Sequence, residues 1–368
     1  MNITGTDIFR YSLKLHKPIL IRNFHLEQRD GFVIRLRGEE EICGIGEIAP
    51  LPGLHEIAPE QIIQELKQFI PALTGSEISG SLLQLNGHFE TFLGESSLSP
   101  VSRCGMEMAV MDLLARERQK NIYQLYDEKI DWRILLNGLL NVGDVHFLQE
   151  AENLLANGYE TLKIKVGRQP MNREINALRE LSRIIGPDVK LRLDANRAWP
   201  LARAVSFALS APAEKIEYIE EPVQNPEELD KFFEETGIPV ALDETLVHSN
   251  MMIENPPFGT AAVILKPSVL GGIEKSVQLI RRLKELQVYP VFSSPYESGI
   301  SLSVWTQLAA VFARKDTAMG LDTWQWLDED LLDIPFQSHN GALNVLEISE
   351  KSRSINWKRL DLIFSSGK

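Results

Sequence analysis

Beyond residue 133 the chain repeats one pattern, a short apolar run followed by a stretch with apolar positions at helical spacing. The runs fall at 134–140, 161–166, 189–193, 216–219, 240–242, 261–265 and 290–292, with a weaker one near 318–321. Amphipathic stretches such as 175–185, 227–235 and 273–286 lie between them, and Gly158, Gly186 and Gly237 stand where helices would end. Eight runs so spaced predict parallel strands, joined by helical crossovers and closed into a barrel. An open doubly wound sheet is the rival architecture, but it would be expected to carry an early glycine-rich phosphate loop, and the sequence has none.

The first third reads differently. Runs at 32–36 and 42–48 predict strands joined across the charged turn at 38–41, and 60–69 and 106–119 carry helical periodicity. Residues 51–55 are turn-rich and read as a loop. The segment after about residue 325 reads as a tail returning to this first unit.

Composition narrows the function. The chain has 368 residues, 44% hydrophobic and 24% charged, as in an ordinary soluble globular protein with room for a large core. A net charge of -13 disfavours nucleic acid and anionic membrane surfaces as partners, so an anionic substrate would need a local cation. The two cysteines, Cys43 and Cys104, have no metal-ligand spacing. Neither a signal-peptide core nor a membrane-length apolar stretch occurs, and the expectation is a cytoplasmic protein.

The informative residues follow the apolar runs. Lys163 and Lys165 share one strand face, and then come Asp194, Glu220, Asp243 and Lys266. The steps are 29 residues from Lys165 to Asp194, 26 to Glu220, 23 to Asp243 and 23 to Lys266, each about one β-α unit. In a barrel these side chains converge on the C-terminal face, where barrel active sites lie. Three oxygen donors without a nearby His or Cys favour a hard cation, Mg²⁺ over zinc. Taken singly, each has an ordinary reading: Asp194 or Asp243 as a helix N-cap, Glu220 as a solvated strand end, the lysines as surface charge. The shared register of all of them outweighs those readings. The histidines form no ligand pair, Ser293 and Ser294 lack a nucleophile elbow, and Trp324 and Trp326 read as packing residues.

With this series in place, the chain resembles the enolase superfamily in its muconate-lactonising subgroup. The strings at 29–31, 46–53, 191–197 and 320–323 are similar to the o-succinylbenzoate synthases. The resemblance implies an α/β fold: a TIM-like (β/α)7β barrel at 129–325, an N-terminal α+β capping domain at 1–128, and a C-terminal segment at 326–368 completing the cap. It implies a metal-dependent lyase that removes water from 2-succinyl-6-hydroxy-2,4-cyclohexadiene-1-carboxylate in menaquinone biosynthesis. Asp194, Glu220 and Asp243 would bind Mg²⁺, with Mn²⁺ the alternative, and Glu221 and Glu244 would support them from behind. Lys165 would be the base, Lys266 the stabiliser of the enediolate, and Lys163 an aid to Lys165 or a carboxylate contact. Arg192, Asn196, Ser293, Ser294, Ser298 and Gly320, with Pro52 and Gly53 in a lid loop, would contact this small carboxylate substrate. Oligomeric state stays open.

Four rivals share parts of this reading. An N-succinylamino-acid racemase or a muconate cycloisomerase would use the same lysines and metal. A dipeptide epimerase would be expected to carry an Asp-x-Asp pair where this chain has only Asp322. A non-catalytic binder would have no need of a base.

Overall fold

The computed structural model describes residues 1–94, 98–127, 129–248 and 255–367. Glu128, the expected end of the first unit, lies outside the described residues. Strands β1 (Gly5–Ile21), β2 (Phe24–Arg37) and β3 (Cys43–Ile48) form an antiparallel meander. β1 buries Tyr11, Leu13 and Leu15 while Arg10, Ser12 and Lys14 face water, the period-2 pattern of a half-buried strand. β3 lies against the helix Pro100–Glu117, and its glycines make that approach possible. A Cβ on Gly46 would stand 2.0 Å from the Gly105 carbonyl oxygen, and one on Gly44 2.1 Å from that of Ala109.

The run expected at 134–140 divides in two. β4 (Arg133–Leu135) leaves the barrel, and β5 (Asn137–Asn141) begins it. Then follow β6 (Thr161–Lys165), β7 (Lys190–Asp194), β8 (Ile216–Glu220), β9 (Val240–Leu242), β10 (Thr260–Leu265) and β11 (Tyr289–Phe292). β5 to β11 make a seven-stranded parallel sheet in sequence order. Met319 and Gly320 close it as single bridges instead of a full strand. On one side Asn137 N donates to Met319 O at 3.0 Å, and on the other Gly320 N donates to Phe292 O at 2.8 Å. The result is a TIM-like barrel with seven regular strands and a bridged eighth position.

The tail serves both units. β12 (Ala342–Asn344) pairs with β4, and the helix Val345–Lys351 packs on the barrel helix Gly299–Phe312. The tail also reaches the cap: β13 (Asp361–Gly367) pairs with β1, Asp328 N donates to Lys14 O at 2.9 Å, and Trp357 stands edge-on to Phe9 at 5.2 Å. Glu47 of β3 clasps cap to barrel: its carboxylate accepts from Ser298 N at 3.1 Å and Ser301 N at 3.0 Å, at the start of the helix Gly299–Phe312. No helix among the described residues is long and apolar enough to cross a membrane, and both cysteines are free thiols.

Candidate active site

Parallel register sets the chemistry in one row. Lys165 on β6 pairs with Asp194 on β7, which pairs with Glu220 on β8. Leu162 and Ile164 alternate with the lysines and are fully buried, leaving Lys163 and Lys165 to face the barrel mouth. The strand ends surround a cavity of about 440 Å³, within the usual size of a small-ligand site. Lys163, Lys165, Asp194, Asn196, Asp243, Glu244 and Lys266 line it, with Ser293, Ser294, Gly320 and Gly53. Glu220 lies beneath them and is fully buried. The chain turns sharply beyond these ends: Asn196, Arg197, Glu221 and Tyr296 hold φ of 43°, 57°, 45° and 60°. Left-handed backbone at non-glycine residues is strained, and such strain concentrates at functional sites.

The site holds two kinds of lysine. Lys163 Nζ sits between Glu220 (2.7 Å to Oε2) and Asp194 (3.1 Å), and Lys266 Nζ is paired with Asp243. Burial works against both charges, but the carboxylates outweigh it and raise both ammonium pKa values above the ordinary lysine range. Lys165 has no such partner among the described residues. Burial lowers its pKa, Asp194 opposes, and the charges of Arg168, Lys163 and Lys266 push it down further. One row thus contains two fixed cations and an amine displaced toward neutrality, which is the form that can take a proton.

Glu220 departs from its partner's behaviour. Although bound to Lys163, its carboxyl is pushed up to about 8, by burial first and then by Asp194. Lys163 is shared between two carboxylates, so the excess negative charge falls on Glu220. Glu244 Oε1 accepts from Asn196 Nδ2 at 2.9 Å, while its buried Oε2 has no hydrogen-bond partner. No group of three potential ligands stands ready-assembled among the described residues, because the ammoniums of Lys163 and Lys266 lie against the carboxylates. The donor set still suits a hard divalent cation: all oxygen, buried, and under-neutralised at Glu220 and Glu244.

Glu221 supports the site from behind. It accepts from Asp243 N (2.8 Å), Thr245 N (2.7 Å), Thr245 Oγ1 (2.7 Å) and Arg197 Nε (2.9 Å), fixing the β8 and β9 turns together.

Three expected substrate contacts lie elsewhere. Arg192 does not line the cavity; its Nε donates to Glu217 at 2.6 Å and its other arm to the Ala318 carbonyl at 2.7 Å. It shares the face of Asp194 but stands two residues earlier, about 6.6 Å deeper in the barrel. We expect Arg192→Met to cost about 1–3 kcal/mol of stability, because Glu217 is left with the exposed Lys190 at 3.4 Å as its ion-pair partner and the Ala318 carbonyl loses its donor, measurable as a lower midpoint in chemical denaturation. Ser298 is an N-cap, its Oγ accepting from Ile300 N at 3.2 Å. Pro52 bridges to His55 and leaves the cavity wall to Leu51, Gly53 and Leu54.

Other lining residues had no periodic signal: Arg22 at the β1–β2 turn, Arg168 after β6, and Tyr296 after β11. Trp326 also lines the cavity, edge-on to Tyr296 at 5.8 Å, whereas Trp324 packs on Phe336 as expected. Arg29 ties the cap loop to the barrel, donating to the carbonyls of Ala49 (3.1 Å), Pro50 (2.8 Å) and Tyr296 (3.1 Å).

Comparison with known proteins agrees with this fold. Residues 146–349 match the family described as enolase C-terminal domain-like, and residues 3–84 match the MenC N-terminal domain. The o-succinylbenzoate synthase of Pectobacterium atrosepticum is 32% identical over 322 residues, 86% of this chain and 89% of that protein. This chain belongs to the o-succinylbenzoate synthase family of the enolase superfamily. The chloroplastic protein PHYLLO of Arabidopsis thaliana is 30% identical over 90% of this chain, which spans only 21% of that protein's length. In fold, this member of the o-succinylbenzoate synthase family is similar to the muconate lactonizing enzyme of Pseudomonas fluorescens, with a TM-score of 0.81, 19% identity and 94% of each chain covered.

Proposed function

We propose that this chain converts 2-succinyl-6-hydroxy-2,4-cyclohexadiene-1-carboxylate to o-succinylbenzoate and water, with Lys165 as the acid-base residue. The observation that carries the assignment is the contrast within one row, where Lys165 is lowered toward the neutral amine while Lys163 and Lys266 stay charged. Neutral Lys165 takes the proton from the ring carbon bearing the carboxylate. Removing it puts a second negative charge on that carboxylate, and the Lys266 ammonium faces the charge as it forms. The electron pair then forms the ring double bond as the neighbouring C–O bond breaks. Lys165, now an ammonium, gives its proton to the departing hydroxyl, so water leaves and the amine is restored. Aromatisation of the ring drives the step forward.

Asp194, Glu220 and Asp243 would hold Mg²⁺, with Mn²⁺ the alternative. Bound there, the ion supplies positive charge to the substrate carboxylate. Ser293, Ser294, Arg22 and Arg168 offer hydroxyls and cations for the rest of the dianionic substrate, and the loop through Gly53 closes the mouth. A paired assay tests the assignment. The value of kcat/KM for the cyclohexadiene should exceed that for N-succinylamino acids, followed by loss of their α-deuterium, by roughly 10²-fold or more. A reversed ratio would make the chain a racemase that uses the same lysines.

A further inference from the structure

Opposite the metal-binding candidates stands an acid that the dehydration does not use. Asp322 opens the short helical turn Asp322–Trp326, just past Gly320, and lines the same cavity as Lys163 and Lys165. Each of its oxygens already accepts one hydrogen bond from a neutral donor. The Tyr159 hydroxyl donates to Oδ2 at 2.8 Å, and Gln325 Nε2 donates to Oδ1 at 2.6 Å. Ser338 Oγ, 3.4 Å from the same hydroxyl, extends the neutral network. None of the cavity's cations, Arg22, Arg168, Lys163 and Lys165 among them, forms an ion pair with this carboxyl among the described residues. Half-buried and with no ion-pair partner among the described residues, it is pushed up to about 7 by desolvation, which outweighs its two hydrogen bonds.

Barrel order fixes what meets this acid. Asp194, Glu220 and Asp243 follow the third, fourth and fifth barrel strands, β7 to β9, and Gly320 closes the eighth position. In a closed ring of eight positions the eighth faces the fourth. A substrate whose ring carboxylate is held above β8 therefore extends its other end toward Asp322.

The geometry points to Asp322 as a specificity-determining residue whose protonated carboxyl donates a hydrogen bond to the terminal carboxylate of the substrate's acyl chain. The identity of that chain rests on the function proposed above. With both oxygens accepting from Tyr159 and Gln325, the acid's own proton is the one donor it can offer an anionic group in the cavity. Once ionised, Asp322 sets two like charges face to face and the chain end is repelled. Low pH therefore favours binding of an anionic tail, and rising pH releases it.

Equilibrium titration with o-succinylbenzoate, in Mg²⁺, across about pH 6–9 tests this in wild type and Asp322→Asn. Titration of Lys165 is common to both proteins and cancels in the ratio of their dissociation constants. That ratio, wild type over variant, should climb roughly tenfold per pH unit above about 7. Tyr159→Phe removes a bond that favours the ionised form, so its midpoint should move to higher pH. A ratio independent of pH, or an unmoved midpoint in Tyr159→Phe, overturns the proposal.

Infrared difference spectra of wild type minus Asp322→Asn, taken without ligand, separate the two assignments. A carboxylic-acid band that titrates near the ordinary aspartate value, about 4, overturns the role of Asp322. A band titrating near about 7 in a protein that binds no o-succinylbenzoate overturns the substrate and leaves the acid.

Discussion

Replacing Lys165 by alanine lowers kcat by roughly 10³-fold while Mg²⁺ still binds, because the variant loses the proton acceptor but none of the carboxylates. Lys165 makes no ion pair among the described residues, so truncating it strands no buried partner, in contrast to Lys163 and Lys266. Only the neutral amine can act as base. Activity must therefore fall as pH drops through the Lys165 pKa, which burial and three neighbouring cations hold below the ordinary lysine range. The checks are steady-state kinetics for turnover and calorimetry for the metal. Turnover within about tenfold of wild type would remove Lys165 from the base role.

Glu220→Gln separates metal binding from stability. The folded protein holds the Glu220 proton to about pH 8, against 4.5 in an ordinary glutamate. A raised folded value contributes stability below the unfolded pKa and loses it as pH climbs through the folded one. In chelator, wild type should therefore weaken between pH 4.5 and about 8, whereas the variant has no proton there to lose. Lys163 keeps Asp194 as its partner in the variant, so no buried ammonium is left alone. At about pH 8 without metal the variant should melt above wild type. Adding Mg²⁺ should reverse that order, since ligand binding stabilises only the protein that can bind it. Parallel melting responses to Mg²⁺ in the two proteins would mean that Glu220 does not hold the ion.

The row of candidate residues was legible because it combines two regularities, apolar runs that terminate strands and a repeat of about one β-α unit between them. Parallel pairing turns that spacing into contact, and Lys165, Asp194 and Glu220 meet as the spacing requires. β1 carries an equally clear alternation through Tyr11, Leu13 and Leu15, yet a strand read without its partner has no register, and its partners are β2 and the distant β13. Residues 318–320 gave only a weak signal because bridges of single residues hold that position. Arg192 shows the limit of alternation, which fixes the face of a strand but not the depth along a barrel. Arg22, Arg168 and Tyr296 stand on loops, where no period exists and only the closed fold brings them to the cavity. Ser298 departs from the expected contact for a related reason, since a serine before a helix caps it when the backbone N–H lies within reach.

The most direct measurement follows the loss of the cyclohexadiene's ultraviolet absorbance on adding purified protein. Wild type with Mg²⁺ should convert the substrate to o-succinylbenzoate, stop in chelator and resume when Mg²⁺ is restored, with Lys165→Ala silent throughout. No conversion by folded, metal-loaded wild type, or equal conversion by Lys165→Ala, would contradict the account.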